Sequence, residues 1–144
     1  MDFETISADA FGRSLRGLGI NLLTRDPEAL AAFLTAAFGL EAHRVSADFA
    51  ILSHDGGLLQ LHSHGTFASH PLHALLPEGG VAGGGVQIYL FRCDPDAAVS
   101  RAEAAGGTVI EPPADKPHGL REATILSPEG FAFTAATPLD APET

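Results

Sequence analysis

Histidines follow one another closely in the middle of the chain, at His62, His64, His70 and His73. Imidazole is a common metal ligand and the side chain that most readily exchanges a proton near neutral pH. His62 and His64, two apart on a predicted strand, could share a face with Gln60 and contribute to a metal site. His62 could also act as a general base. The alternative, which we favour, is that His64, His70 and His73 are solvent-exposed loop residues.

The most polar stretch of the second half runs from Lys116 to Glu122 and leads into a predicted strand. Its His118 and Arg121 could contact an anionic or hydrogen-bonding ligand. The alternative is a solvated loop in which Arg121 and Glu122 pair with each other or with neighbouring residues. The sequence leaves both interpretations open.

The charge balance excludes several classes of partner. The chain has 144 residues and a formal net charge of −10. Such a surface repels phosphate backbones and anionic lipids, so we expect no nucleic-acid partner and no membrane association. The first residues are acidic where a secretory signal would be basic, and no apolar run approaches the length of a bilayer span. These features predict a cytoplasmic protein.

Two further motifs argue against covalent or nucleotide chemistry. The single cysteine, Cys93, cannot form an intramolecular disulfide, and we interpret it as a buried or half-buried thiol rather than a nucleophile. The glycines from 79 to 85 precede a predicted strand, whereas a phosphate-binding loop follows a strand and opens a helix. We therefore expect no cofactor.

The first half of the chain carries clear signals for the elements that position these side chains. The stretch from Leu18 to Thr24 alternates as an amphipathic strand, and a helix is predicted from there to about Phe38. Asp26 can cap the helix, Pro27 suits its first turn, and Gly39 can take the left-handed conformation that ends it. Three short strands are predicted next, at about 41–45, 49–53 and 58–62.

The second half repeats this order. A strand at 86–91 leads into the pair Asp94-Pro95, and Gly106-Gly107 ends a helix. Three strands are predicted to follow, near 108–110, 122–127 and 131–135. Aligning the two Asp-Pro pairs also aligns the helix-ending Gly39 with Gly107, and the hairpin at 50–56 with that at 124–130. We interpret this as the duplication of one βαβββ module.

The pattern predicts one domain over residues 1–144. Module one covers about 15–62, a Gly- and Pro-rich connector covers 63–84, and module two covers about 85–139. The first dozen residues are predicted to form an added arm or short helix, and the tail after Pro138 is predicted to fray.

Strand alternation predicts which side chains share the face turned away from the helices. They include amides, one imidazole and aromatic rings, a combination that suits a ligand pocket. Tyr89 could bind or polarise a ligand there, although an aromatic residue on a strand is more often part of a core. The residues predicted on this face are Gly19, Asn21, Leu23, Leu58, Gln60, His62, Gln87, Tyr89 and Phe91.

The two Asp-Pro pairs and the hairpin from Leu126 to Phe131 resemble those of the vicinal oxygen chelate superfamily, which includes glyoxalase I, extradiol dioxygenases and bleomycin-type resistance proteins. The resemblance covers about Leu15 to Leu139. It implies an α+β fold in which two βαβββ modules in tandem form cupped mixed sheets around a cavity, with the helices outside. It also places the loop with His118 and Arg121 at the cavity mouth.

Metal-dependent members of that superfamily carry ligands on the first, fourth, fifth and eighth strands, and the resemblance places Gly19, Gln60, Gln87 and Thr134 there. Glycine has no ligating side chain, threonine is a poor ligand, and glutamine offers only an uncharged carbonyl oxygen. A divalent ion needs carboxylate, imidazole or thiolate to offset its dehydration, so we expect no metal. A one-residue shift in the fourth strand would instead put His62 at the ligand position.

We therefore predict a metal-independent protein of the glyoxalase/bleomycin-resistance type that sequesters a small organic ligand in the sheet cavity, and the resemblance implies a homodimer. The alternative is a superfamily enzyme, a lyase, isomerase or dioxygenase, using a metal through His62 or a general base at His62 or His118. A third possibility is an assembly domain whose cavity is filled by side chains. No catalytic residue is assigned. The predicted ligand-binding residues are Asn21, Gln60, His62, Gln87, Tyr89, Phe91, His118 and Arg121.

Overall fold

The computed structural model describes residues 1–140. Its helices are α1 (Ala8–Ser14), α2 (Pro27–Phe38) and α3 (Pro95–Ala104), and none of these is long and apolar enough to cross a membrane. Its strands are β1 (Ile20–Thr24), β2 (Glu41–His43), β3 (Phe49–His54), β4 (Gly57–Ser63), β5 (Gln87–Phe91), β6 (Thr108–Asp115), β7 (Leu120–Leu126) and β8 (Ala132–Pro138). Short 3₁₀ turns at His64–Phe67 and Pro71–Leu75 lie in the connector. The predicted fraying after Pro138 concerns mainly residues 141–144, which are outside the described residues.

Each module forms a four-stranded mixed sheet. The strand order is β1-β4-β3-β2 in the first sheet and β5-β8-β7-β6 in the second. In both sheets the first strand of the module pairs in parallel with the last, β1 with β4 and β5 with β8. The other neighbouring strands pair antiparallel. This identical order confirms the predicted α+β fold of two βαβββ modules.

The Asp-Pro pairs begin the helices as predicted. A carboxylate oxygen of Asp26 accepts a hydrogen bond from the Ala29 amide at 3.0 Å. Asp94 accepts in the same way from the amide of Asp96 at 3.0 Å, and from the next amide along the helix. Helix N-termini leave amides without an intrahelical partner, so both aspartates are helix caps.

The chain divides into two compact units, and the boundary between them passes through α2. The first unit contains Met1–Ala32 and Leu40–Leu75, and the second contains Phe33–Gly39 and the chain from Leu76 onward. Within the second unit the ring of Phe38 lies 5.7 Å from that of Phe133. The far end of α2 therefore belongs to the core of the second unit.

Strand β6 is longer than the sequence predicts. The sequence predicts a strand only near 108–110, and Pro112 and Pro113 beyond it cannot donate hydrogen bonds to a neighbouring strand. The structure continues the strand to Asp115 by shifting its register against β7 after Val109 and again after Glu111. Such bulges leave residues out of the regular ladder, so the prolines are tolerated.

Cys93 is buried, and its thiol faces the backbone carbonyl of Phe38 with a sulfur-to-oxygen distance of 3.6 Å. Burial, reinforced by the nearby Asp94, raises the pKa of this thiol. A higher pKa leaves less of the nucleophilic thiolate, so the structure supports its interpretation as a packing residue.

Candidate functional site

The amide and imidazole side chains predicted on one face of the first sheet do lie together. The register pairs Asn21 with Gln60 and Leu23 with His62, so these residues share a face of β1 and β4. Nδ1 of His62 lies 2.6 Å from Oδ1 of Asn21. An amide oxygen only accepts hydrogen bonds, so Nδ1 carries the proton and Nε2 is left as an acceptor.

Two aromatic rings contact the imidazole of His62. The ring centroids of Phe49 and Phe67 lie 4.9 Å and 5.4 Å from the imidazole. His70 in turn lies 5.0 Å from Phe67. Burial lowers the pKa of His62 because the charged form loses hydration, so the neutral form is favoured at pH 7.

The N-terminal arm, residues 1–15, packs within this unit. Its ring contacts run from Phe11 to Phe3 at 5.8 Å and from Phe3 to His43 at 5.1 Å. The backbone amide of Arg44 donates to Oε1 of Glu4 at 2.9 Å. Phe11 is 6% exposed, so the short helix α1 is docked through a buried aromatic side chain.

Two cavities lie where the arm meets the first sheet, and Leu15 and Gln60 line both. The larger, which we call the first-unit cavity, has a volume of about 660 Å³. The smaller has a volume of about 430 Å³ and includes Gly19 in its wall. The first-unit cavity is lined by Ala8, Phe11, Gly12, Leu15, Arg44, Ser46, Asp48, Phe49, Gln60, His62 and Thr66.

The depressed pKa of His62 gives a prediction for acid stability. The unfolded chain binds a proton on His62 near pH 6.5, above the pKa in the folded state, so folding stability falls as the pH drops through this value and levels off below the folded pKa. We expect His62→Gln to show a shallower loss of unfolding free energy between pH 7 and pH 5. Urea titrations across that range measure it, and parallel curves for the two proteins would contradict it.

A second polar group lies on the sheet of the second unit. Nε2 of Gln87 donates to Oγ1 of Thr134 at 2.7 Å, and the hydroxyls of Thr134 and Thr124 are also 2.7 Å apart. Thr134 is fully buried. These three side chains therefore satisfy one another across strands β5, β8 and β7.

Glu122 is the most buried acidic side chain of that sheet face, with 5% of its side chain exposed. Its Oε2 lies 2.6 Å from Nε2 of His118, and its Oε1 lies 3.4 Å from the Tyr89 hydroxyl. The Tyr89 ring stacks on Phe91, with centroids 5.2 Å apart and planes 11° from parallel. Burial and the Glu122 carboxylate raise the pKa of Tyr89, which keeps the phenol neutral.

Arg121 points away from this group. Neighbouring strand residues face opposite sides, so Arg121 lies on the other face of β7 from Glu122. Its guanidinium binds Asp96 through two nitrogens at 2.8 and 3.0 Å and Asp115 at 2.9 Å. A ligand would have to displace one of these carboxylates to reach Arg121, whereas His118 remains half exposed.

The residues at the four superfamily metal positions do not fit a divalent ion. Gly19 contributes no donor atom, and the side chains of Gln87 and Thr134 are hydrogen-bonded to each other. Gln60 alone offers one neutral oxygen, which cannot offset the dehydration of the ion. Across residues 1–140, no group of three or more His, Cys, Asp or Glu side chains is arranged to hold a metal.

Two parts of these sites are not evident from the sequence. Phe11 was not identified because the arm carries no strand pattern that relates it to the sheet. The sequence suggests Glu122 as a partner of Arg121, but it lies two residues before Thr124 on the same strand. Strand alternation would have placed Glu122 on the face opposite Arg121 and so excluded that pair.

The sequence profile of the glyoxalase-like domain family matches residues 19–136. The chain belongs to this family. The match confirms the resemblance to the glyoxalase/bleomycin-resistance/dioxygenase superfamily, and it spans both βαβββ modules of the glyoxalase-like domain. A search of functionally curated proteins gave no significant match.

Solved structures agree on the fold of this glyoxalase-like domain. A glyoxalase/bleomycin resistance protein/dioxygenase family enzyme from Burkholderia phytofirmans PsJN is 24% identical, with a TM-score of 0.71 over 84% of this chain and 97% of that one. A glyoxalase/bleomycin resistance protein/dioxygenase from Nocardioides is 23% identical, with a TM-score of 0.63 over 92% of both chains. At these identities the likeness concerns the fold, and function has to be argued from the site.

Proposed function

We propose that this glyoxalase-like domain binds a small organic molecule without a metal, in the first-unit cavity. The observation that carries the proposal is the cavity of about 660 Å³ whose wall combines apolar Phe11, Leu15 and Phe49 with polar Gln60 and His62. Sites for small molecules are mostly apolar clefts of about 300–1,000 Å³ with a few placed polar groups. The size and the lining both fit that description.

The polar groups define the chemistry of the ligand. Nε2 of His62 is an acceptor, because Nδ1 is occupied by Asn21, and the imidazole contacts the rings of Phe49 and Phe67. The Gln60 amide can both donate and accept. A neutral aromatic molecule with one hydroxyl group matches this wall: its ring packs on the phenylalanines and its O–H donates to His62.

Sequestration is favoured over metal-dependent catalysis by the donor set. His62, the one imidazole near a metal position, is bonded to Asn21 and lies against aromatic rings rather than among other ionisable ligands. Elemental analysis of protein purified without a histidine tag and offered zinc, nickel, iron and manganese tests this directly. Near one metal per chain would overturn the proposal.

The binding test uses 4-ethylphenol, titrated by calorimetry into the wild-type protein and Gln60→Ala. We expect saturable binding at one site in the first-unit cavity, weakened about tenfold by Gln60→Ala through the loss of one hydrogen bond and of wall contact. Folding should be almost intact, because Gln60 is only half buried. Circular dichroism and urea unfolding measure that second part.

One control changes the ligand and the other changes the protein at a position outside the cavity. 4-Ethylanisole has the same ring but no hydroxyl proton, and we expect it to bind more weakly than 4-ethylphenol. Glu28→Ala changes an exposed position of α2 in the same unit and should leave the affinity unchanged. Equal affinities of wild type and Gln60→Ala for 4-ethylphenol would contradict this site. The homodimer stays a prediction, which light scattering can test.

A further inference from the structure

The sheet face of the second unit contains a buried carboxylate whose one close partner is the imidazole of His118. Glu122 is 5% exposed, and no lysine or arginine among residues 1–140 forms an ion pair with it. The two nearby cations are engaged elsewhere, since Lys116 pairs with Glu111 and Arg121 with Asp96 and Asp115. A buried carboxylate is costly unless a charge or several hydrogen bonds compensate it.

The two oxygens of Glu122 are unequally satisfied. Oε2 has a short contact of 2.6 Å with His118 Nε2, whereas Oε1 has only the Tyr89 hydroxyl at 3.4 Å. That second distance exceeds the usual range of an O–H···O hydrogen bond. Oε1 therefore has capacity to accept a strong hydrogen bond from a donor that enters beside Tyr89.

The stacked rings of Tyr89 and Phe91 form an aromatic surface next to this oxygen. Tyr89 and Phe91 stack face to face and keep 37% and 53% of their surface exposed. Aromatic faces attract cations, and the attraction adds to that of a carboxylate next to them. An anion, by contrast, would meet the charge of Glu122 on a chain whose net charge is −10.

We propose that Glu122, Tyr89 and Phe91 form a second binding site, selective for a protonated amine on a compact apolar body. The ammonium group donates to Oε1 of Glu122 and the apolar body covers the exposed aromatic rings. This inference goes beyond the proposed function, because the site lies in the other unit and selects a positive charge rather than a neutral hydroxyl.

Tyr89 makes the site directly observable. It is the only tyrosine of the chain, and there is no tryptophan, so the intrinsic fluorescence excited near the tyrosine band comes from this site. The probes are cyclohexylammonium, cyclohexanol and cyclohexanecarboxylate, which share one ring, differ in charge and do not absorb there. We expect a saturable fluorescence change with the amine, at least about tenfold weaker binding of the alcohol, and none of the carboxylate.

Variants assign the effect to the residues. Glu122→Gln keeps the shape and removes the charge, and we expect it to weaken amine binding about tenfold or more. Glu103→Gln removes the same charge from an exposed position of α3 and is the matched control, expected to bind as wild type. If Glu122→Gln does not fold, Phe91→Leu tests the contribution of the aromatic surface. It should weaken amine binding while the Tyr89 fluorescence remains.

Several results would overturn the proposal. They are equal binding of amine and carboxylate, unchanged amine affinity in Glu122→Gln, and an amine affinity lowered equally by Glu103→Gln. A change of Tyr89 fluorescence with protein concentration alone, in the absence of amine, would also overturn it, because a second copy of the chain would then cover the rings. None of these outcomes bears on the binding of 4-ethylphenol in the first unit, so the two proposals fail separately.

Discussion

Replacing Phe11 by alanine is expected to lower the free energy of unfolding by about 3 kcal/mol and to release the N-terminal arm. Phe11 is almost fully buried and is the aromatic anchor of α1, which has only seven residues. A helix of this length is not stable by itself, and its structure therefore depends on the packing of Phe11. Urea unfolding and hydrogen exchange followed by mass spectrometry measure the two effects.

The same variant bears on the proposed function. The arm contributes Phe11 and Leu15 to the wall of the first-unit cavity, so its release should also weaken 4-ethylphenol binding. Arg13→Ala is the matched control on α1, because its side chain is exposed and we expect a change below about 0.5 kcal/mol. Unchanged stability and exchange in Phe11→Ala would show that the arm is held by other contacts.

The second large effect is expected from Thr134→Val, which keeps the shape of a fully buried side chain and removes its hydroxyl. That hydroxyl accepts from Gln87 and bonds to Thr124, so its loss leaves two polar groups with one partner fewer. We expect a loss of about 1–3 kcal/mol in the free energy of unfolding, the usual penalty when a buried polar group, here the Thr124 hydroxyl, loses a partner. Thermal or urea unfolding measures it.

A double-mutant cycle with Gln87→Ala distinguishes an internal network from a ligand contact. If the Gln87 amide bonds to Thr134, the double variant should lose less unfolding free energy than the sum of the losses in the two single variants. Thr137→Val, on the same strand but half exposed, is the control and should change stability little. Additive losses would mean that Gln87 acts independently of Thr134.

Much of the fold followed from local signals. The Asp-Pro caps and the helix-ending glycines are recognisable because each depends on one or two residues and their own backbone. Strand alternation then placed Asn21, Gln60 and His62 on one face, where the structure shows Asn21 bonded to His62. The period of two along a strand carries this information without any knowledge of tertiary contacts.

The sites depended on contacts that local signals do not carry. The docking of Phe11 joins residues that are distant in sequence, and nothing in the arm itself specifies which surface it covers. The partners of Arg121 lie on α3 and at the end of β6, so the choice between Glu122 and these aspartates was not readable from neighbouring positions. The extension of β6 past its prolines likewise rests on bulges against β7.

Helix α2 contributes residues to both compact units. Phe33 and Phe38 belong with Gly107 and Phe133, although they are encoded in the first of the two repeats. A single βαβββ module with this packing would leave the far end of its helix uncovered and its apolar side chains in water. A single module of this kind would therefore need another protein surface, such as a second copy of itself, to cover this end of the helix.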